Sequence, residues 1–250
     1  MVVLSMRCRA WTECRRKLEY EGQTPIMERS KMCIRMILTA LWGISVLIAS
    51  PHVFAETPLA QIKAGLSSRK LDNRIAAVEK LRHRTDEETV DLLIAVVDNR
   101  REDWVVQIKA IQFLGEARNP KALDVLLRIF NSDAVHWQCP AIKSYTALAL
   151  GNLGKSRGVG EALTKRLYDP EPLTREASIR ALGMIRGESA PDLLPLLRDK
   201  SIAIRLSVIK ALENIGDTRA IPDLELIAAD DSDEVVRHAA KIAIAHFRKD

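Results

Sequence analysis

Cysteine and aromatic residues are both scarce, and each scarcity excludes something. Of four Cys in 250 residues, Cys8, Cys14 and Cys33 stand near the beginning, leaving Cys139 alone in the remainder. A single Cys has no intramolecular partner, so no disulfide framework holds that part together and stability must come from packing. Aromatics are 4% of the chain while hydrophobic residues are 47%, which leaves an aliphatic core suited to packed helices. Excess charge is also missing once the chain is divided. Residues 1–55 hold eight of the 38 Lys and Arg and four of the 33 Asp and Glu, leaving 30 and 29 for residues 56–250. A nearly neutral remainder lacks the basic field that phosphate contacts need, so no nucleic-acid partner is expected.

Long apolar runs are limited to one, "MILTALWGISVLIA" at residues 36–49, preceded by Lys31 and Arg35 and followed by "SPHVFA". Val53 and Ala55 are the small residues that precede a cleavage point, so the run reads as a secretory signal peptide cut after Ala55. At about 1.5 Å per residue the run spans about 21 Å, short of the roughly 30 Å hydrocarbon core, and no permanent membrane span is expected. No Cys follows it to accept a lipid. The expectation is an upstream segment and signal peptide over residues 1–55, with translation starting at Met27 or Met32, and a mature protein in a bacterial periplasm or secreted.

What is present is repetition. "TREASIRALG" at residues 174–183 returns thirty residues later as "IRLSVIKALE". The same pattern places an apolar anchor at Leu81, Leu114, Leu150, Leu182, Leu212 and Ile244. Seven residues before each anchor stands a long polar side chain: Arg74, Gln107, Lys143, Arg175, Arg205 and Arg237. Apolar spacing between them is helical, as in Ile204, Val208, Leu212 and Ile215. Gly154, Gly187 and Gly216 follow anchors as expected left-handed caps, and Pro120, Pro191 and Pro222 open second helices shortly after the anchors Leu114, Leu182 and Leu212. Such a hairpin cannot bury its apolar face alone and must stack on its copies, which predicts an all-α solenoid over residues 56–250. With six first helices and five second ones, the last copy is expected to lack its second helix. That leaves Ile242 and Ile244 short of cover and self-association through the C-terminal helix open.

"IRLSVIKALENIGDTRAIPDL", residues 204–224, resembles the phycobilisome lyase HEAT-like repeats, whose wording is "VR..A..ALG.IGD..AIP.L", except that Glu213 replaces Gly. The resemblance extends over about residues 59–250 and implies an α-solenoid, a right-handed superhelix of stacked hairpins. Two activities come with it as alternatives to a scaffold: a bilin-lyase-like enzyme or chaperone subunit, and a nucleic-acid-binding HEAT-like protein. Export argues against the first, because bilin attachment is cytoplasmic. The related di-iron hydroxylases carry His-Glu dipeptides, and this chain has none.

Local strings that imitate chemistry read better as structure. "GKSRG", residues 154–158, spells a nucleophile elbow around Ser156, but the preceding "SYTALALGNL" is helical where an elbow needs a strand. His83, His136, His238 and His246 include no i,i+4 pair, and no metal, cofactor or catalytic residue is expected. Asp169, Asp199 and Asp231 each precede Arg175, Arg205 and Arg237 by six residues, which predicts a structural ladder of helix-start acids and arginines along the stack.

Two surfaces are candidates for a protein partner of unknown identity. Trp104 and Trp137 flank the irregular third repeat and form either an exposed aromatic patch or filling for its joint. In the same joint Cys139 follows His136 at a spacing that allows an activated thiolate. Arg128, Lys165, Arg166 and Arg198 fall late in successive second helices and would form a basic ridge unless local acids pair with them. The expected function is an exported, non-catalytic protein-binding module or scaffold.

Overall fold

Helix boundaries follow the punctuation of the sequence. In this computed structural model, residues 58–133, 137 and 139–248 are described, and they belong to one compact unit of residues 57–250. The predicted signal segment, Ala55 included, lies outside the described residues. Among the described residues twelve α-helices run in order: α1 Leu59–Leu66, α2 Leu71–Glu79, α3 Glu87–Asp98, α4 Trp104–Ala117, α5 Leu123–Asn131, α6 Pro140–Asn152, α7 Val159–Thr164, α8 Pro172–Ile185, α9 Ala190–Leu193, α10 Ile202–Ile215, α11 Ile221–Asp230 and α12 Glu234–Phe247. Among the described residues there is no strand. Asp86, Asp103, Ser201 and Asp233 cap helix starts with side-chain oxygens, and Pro140 and Pro172 occupy first turns, where a missing N–H costs nothing. Pro195 interrupts the partner helix begun by α9, which continues as a 3-10 turn over Leu194–Arg198.

All six anchors are buried, five of them fully and Ile244 at 7% exposed. Five belong to α4, α6, α8, α10 and α12, and Leu81 lies just beyond the end of α2. These even-numbered helices stack on one another as a continuous layer. The hairpins, however, are one helix out of step with the expected pairing. Each anchor helix packs against the helix before it, α4 on α3, α6 on α5, α8 on α7 and α12 on α11. The register therefore opens with α1 on α2, and the described stack contains six complete pairs. α1, "LAQIKAGL", carries no anchor pattern, and Ile62 is its one fully buried side chain. At the other end α11 covers α12, so Ile244 is buried while Ile242 remains 45% exposed.

The anchor layer is drawn together by glycine meeting alanine. A Cβ on Gly115 would stand 2.7 Å from Ala149 Cα, one on Gly151 3.0 Å from Ala181, and one on Gly183 2.8 Å from Ala211. In each case the residue after one anchor touches the residue before the next, which gives the "ALG" wording its meaning: Ala and Gly are the two halves of a close helix contact. Glu213 takes the Gly position in the fifth copy. Its carboxylate contacts His246 of α12 across the last joint and Lys210 of its own helix at 3.0 Å.

Replacing Gly183 by Val forces backbone apart and is expected to lower the unfolding free energy by about 3 kcal/mol, read by urea denaturation. Gly160→Ala meets only Ile185 Cδ1 at 3.8 Å and is expected to be neutral or stabilising by up to about 1 kcal/mol through helix propensity. Equal effects would remove the Gly–Ala contact from this account.

Candidate functional site

The conspicuous polar residues are placed by the ends of the partner helices. A helix leaves its last carbonyls without intrahelical donors, and the turn that follows it into the next anchor helix adds further carbonyls with none. The long polar side chain seven residues before each anchor supplies the donors. Arg74 Nη1 donates to the Ser68 and Arg69 carbonyls at 3.0 and 3.2 Å, and Gln107 Nε2 to Val97 and Asn99 at 3.3 and 2.8 Å. Lys143 Nζ donates to Ile129, Phe130 and Ser132 at 2.8, 2.6 and 2.5 Å. Arg175, Arg205 and Arg237 donate from Nη1 to the carbonyls of Asp169, Asp199 and Asp231 at 3.2, 2.8 and 2.6 Å. The side chain differs from repeat to repeat and the task is the same.

The Asp–Arg pairs therefore meet first through the Asp backbone. The carboxylates accept the N–H two residues on, from Glu171, Ser201 and Asp233 at 3.0, 2.7 and 2.9 Å. One ladder rung crosses between repeats: Arg205 Nε lies 2.8 Å from Asp231, both side chains under a tenth exposed. Arg74 and Glu102 make the corresponding bridge at 2.8 Å near the start of the stack, with a Glu that the Asp spacing does not flag. Burial pushes the Asp231 carboxyl up, but the Asp233 N–H and the Arg205 guanidinium outweigh it and hold it below the usual carboxylate range. Burial, reinforced by the Arg166 charge, pushes the Lys143 ammonium down to about 8.

The second-helix ridge is largely paired already. Arg128 binds Asp98, Lys165 binds Glu161 at 2.7 Å, and Arg166 reaches Asp169 at 3.1 Å, Asp133 at 3.5 Å and the Phe130 carbonyl at 3.4 Å. Only Arg198 of the four is exposed with no such partner among the described residues. Trp104 opens α4 half-buried, whereas Trp137 is 2% exposed and fills the joint before α6, so Trp137 adds nothing to an exposed aromatic patch. Cys139 caps the start of α6, and His136 lies outside the described residues. Ser156 sits in the turn between α6 and α7, donating to the Leu153 carbonyl at 3.3 Å. Among the described residues no three His, Cys, Asp or Glu side chains gather as a metal site would require.

Unpaired positive charge lies on the opposite edge, where anchor helices end. Gly154 and Gly216 take left-handed caps, at φ 74° and 76°. At the equivalent positions after α4 and α8 the left-handed residues are Arg118 and Arg186, at φ 50° and 49°. Gly187 was the cap expected for α8, and Arg186 takes that conformation one residue earlier. A groove of about 370 Å³ runs between these ends, with Arg118, Arg186, Asn152, Asn214 and Met184 on its walls. The helix pattern gave no signal for it, since it pairs residues two repeats apart.

A layered stack of helical hairpins with this internal polar capping is an α-solenoid. The HEAT-repeat family model matches residues 59–138 and 160–245, and the chain belongs to that family. It is similar to phycocyanin operon protein Z of Pseudanabaena tenuis (strain PCC 7409), 27% identical over 167 residues that cover 65% of this chain and 81% of that protein. It is also similar to a chain in the solved complex of CpcE and CpcF of phycocyanin lyase from Nostoc sp. PCC7120. That match has 25% identity and a TM-score of 0.54, covering 64% of this chain and 65% of that one. The chain thus spans less than two thirds of that lyase chain. An engineered protein of solved structure, 16% identical, matches with a TM-score of 0.52 over 77% of this chain and 97% of its own. No described helix is long and apolar enough to cross a membrane.

Two measurements test the capping. A ¹⁵N titration of the Lys143 ammonium is expected to show a midpoint near 8, against about 10.4 in an unfolded chain. The unfolded chain then holds the proton more tightly, so stability rises with pH between those values, and Lys143→Met abolishes that rise. A midpoint above 10 would contradict the burial described. Arg205→Met strands Asp231 and is expected to cost about 3 kcal/mol at neutral pH, read by chemical denaturation. The Asp231 contribution is present above about pH 4 and lost as pH falls through the lowered folded value, so Asp231→Asn should flatten the acid limb of the stability profile.

Proposed function

We propose that this chain is an exported, non-catalytic HEAT-repeat scaffold that binds a protein partner in the bacterial periplasm or outside the cell. The observation that carries the binding part is the likeness, over the repeats, to a chain found in the complex of CpcE and CpcF. A stack of paired helices with its buried polar groups committed to capping is a stiff surface, and such surfaces work by holding other proteins. Export rests on the apolar run at residues 36–49 and the Val53–Ala55 spacing after it. A second reading, a lyase-like subunit acting on a chromophore-bearing protein, is favoured by the names of the two natural relatives.

Crosslinking of the tagged full-length protein in intact cells, with mass spectrometry of its own N-terminus and of what it captures, tests the proposal. The expected result is an N-terminus at Glu56 and a recurrent envelope protein. An intact leader on a chain crosslinked to a chromoprotein would overturn it in favour of the lyase-like reading. In that case added bilin should change its absorption spectrum in the presence of the purified chain.

A further inference from the structure

The groove between the ends of the anchor helices carries more than its shape. Arg118 and Arg186 stand where Gly154 and Gly216 show that glycine fits, and a non-glycine residue there costs roughly 1 kcal/mol or more. Neither guanidinium makes an ion pair among the described residues: Glu116 is engaged by Arg82 at 3.3 Å, Asp217 by Arg219 at 2.6 Å and Glu213 by Lys210 and His246, while Glu188, two residues after Arg186, is exposed. Lys155 and Arg157 stand exposed on the loop between them. Asn152 and Asn214, half-buried in the same groove, make no side-chain hydrogen bond among the described residues, so each offers a donor and an acceptor. Met184, 40% exposed, supplies an apolar wall between the two arginines.

We infer that this groove binds an extended acidic segment of a protein partner. Arg118 and Arg186 take its carboxylates, Asn152 and Asn214 pair with its backbone amides, and Met184 packs on an apolar side chain. Charge complementarity selects the occupant. The edge carries four exposed cations, Arg118, Lys155, Arg157 and Arg186, against the exposed Glu188 beside Arg186, and two side-chain amides match a peptide backbone, which a phosphodiester chain lacks. The left-handed strain held by two arginines is then retained for recognition, since glycine would serve the fold better. This inference rests on the protein-binding reading above and adds where the partner sits and what it carries.

The test is fluorescence anisotropy of the purified full chain with a labelled peptide of Glu, Asp and Leu. A Gln, Asn and Leu peptide and a charge-matched single-stranded oligonucleotide serve as comparisons. Expected are preference for the acidic peptide and at least tenfold weaker binding in Arg118→Glu/Arg186→Glu, with no change in Lys200→Glu/Lys241→Glu, which alters net charge equally. Arg118→Gly/Arg186→Gly separates recognition from structure, because it should raise Tm while weakening the peptide. Equal binding by all variants, equal binding of the neutral peptide, or tighter binding of the oligonucleotide would overturn the inference. Cellular crosslinking of the Arg118→Glu/Arg186→Glu variant distinguishes the two levels. A partner caught equally well by it leaves the scaffold standing and removes the groove, whereas loss of every partner from the wild type removes the scaffold and leaves the peptide titration to decide the groove.

Discussion

Each described turn from a partner helix into the next anchor helix leaves backbone carbonyls at or just beyond the partner helix's end, and they need donors. That constraint recurs six times and is met six times by one side chain, placed seven residues before the anchor and long enough to reach back over the turn. Arg, Gln and Lys all do it, because what matters is reach and a donor rather than charge. The capping side chain fixes how each partner helix enters the next anchor helix. It thereby sets the orientation of the pair, the spacing of the layer and the positions of the loops at both edges.

Close packing of the anchor layer depends on the same order. Gly115, Gly151 and Gly183 admit Ala149, Ala181 and Ala211 only because the helices meet at one depth every time. Where Glu213 replaces glycine, its side-chain contact with His246 of α12 spans the joint instead. The last joint thus uses a polar contact where three earlier ones use glycine against alanine. A solenoid permits this, since each repeat answers only to its neighbours.

The anchors, the six polar positions and the helical period were legible in sequence because they recur. The acids expected at helix starts, Asp169, Asp199 and Asp231, stand two residues before the N-caps Glu171, Ser201 and Asp233 and accept the N–H of those residues. Hairpin register was not legible. An apolar helix offers two flanks, spacing alone does not say whether the helix before or after covers it, and α1 carries no anchor pattern to settle the choice. The pairing of the second-helix cations was half legible: Asp169 lies three residues after Arg166, but Asp98 lies thirty residues before Arg128. The groove at the anchor ends was out of reach, because Arg118 and Arg186 come from different repeats and replace a glycine signal rather than carrying one of their own.

Recognition in such a molecule belongs to residues that the stack does not consume. The buried arginines are committed to carbonyls and to Asp231 or Glu102, and the ridge cations mostly to their own acids. What remains is the loop edge with its unengaged arginines and amides. All of this stands on the carbonyl caps, which amide hydrogen exchange of Gln107→Leu against the wild type tests most directly. If the buried Gln107 amide ties the end of α3 to α4, exchange should accelerate in the last turn of α3 and the following loop and stay unchanged beyond α6. Unaltered exchange at the end of α3, or a uniform increase through every repeat, would contradict the capping account.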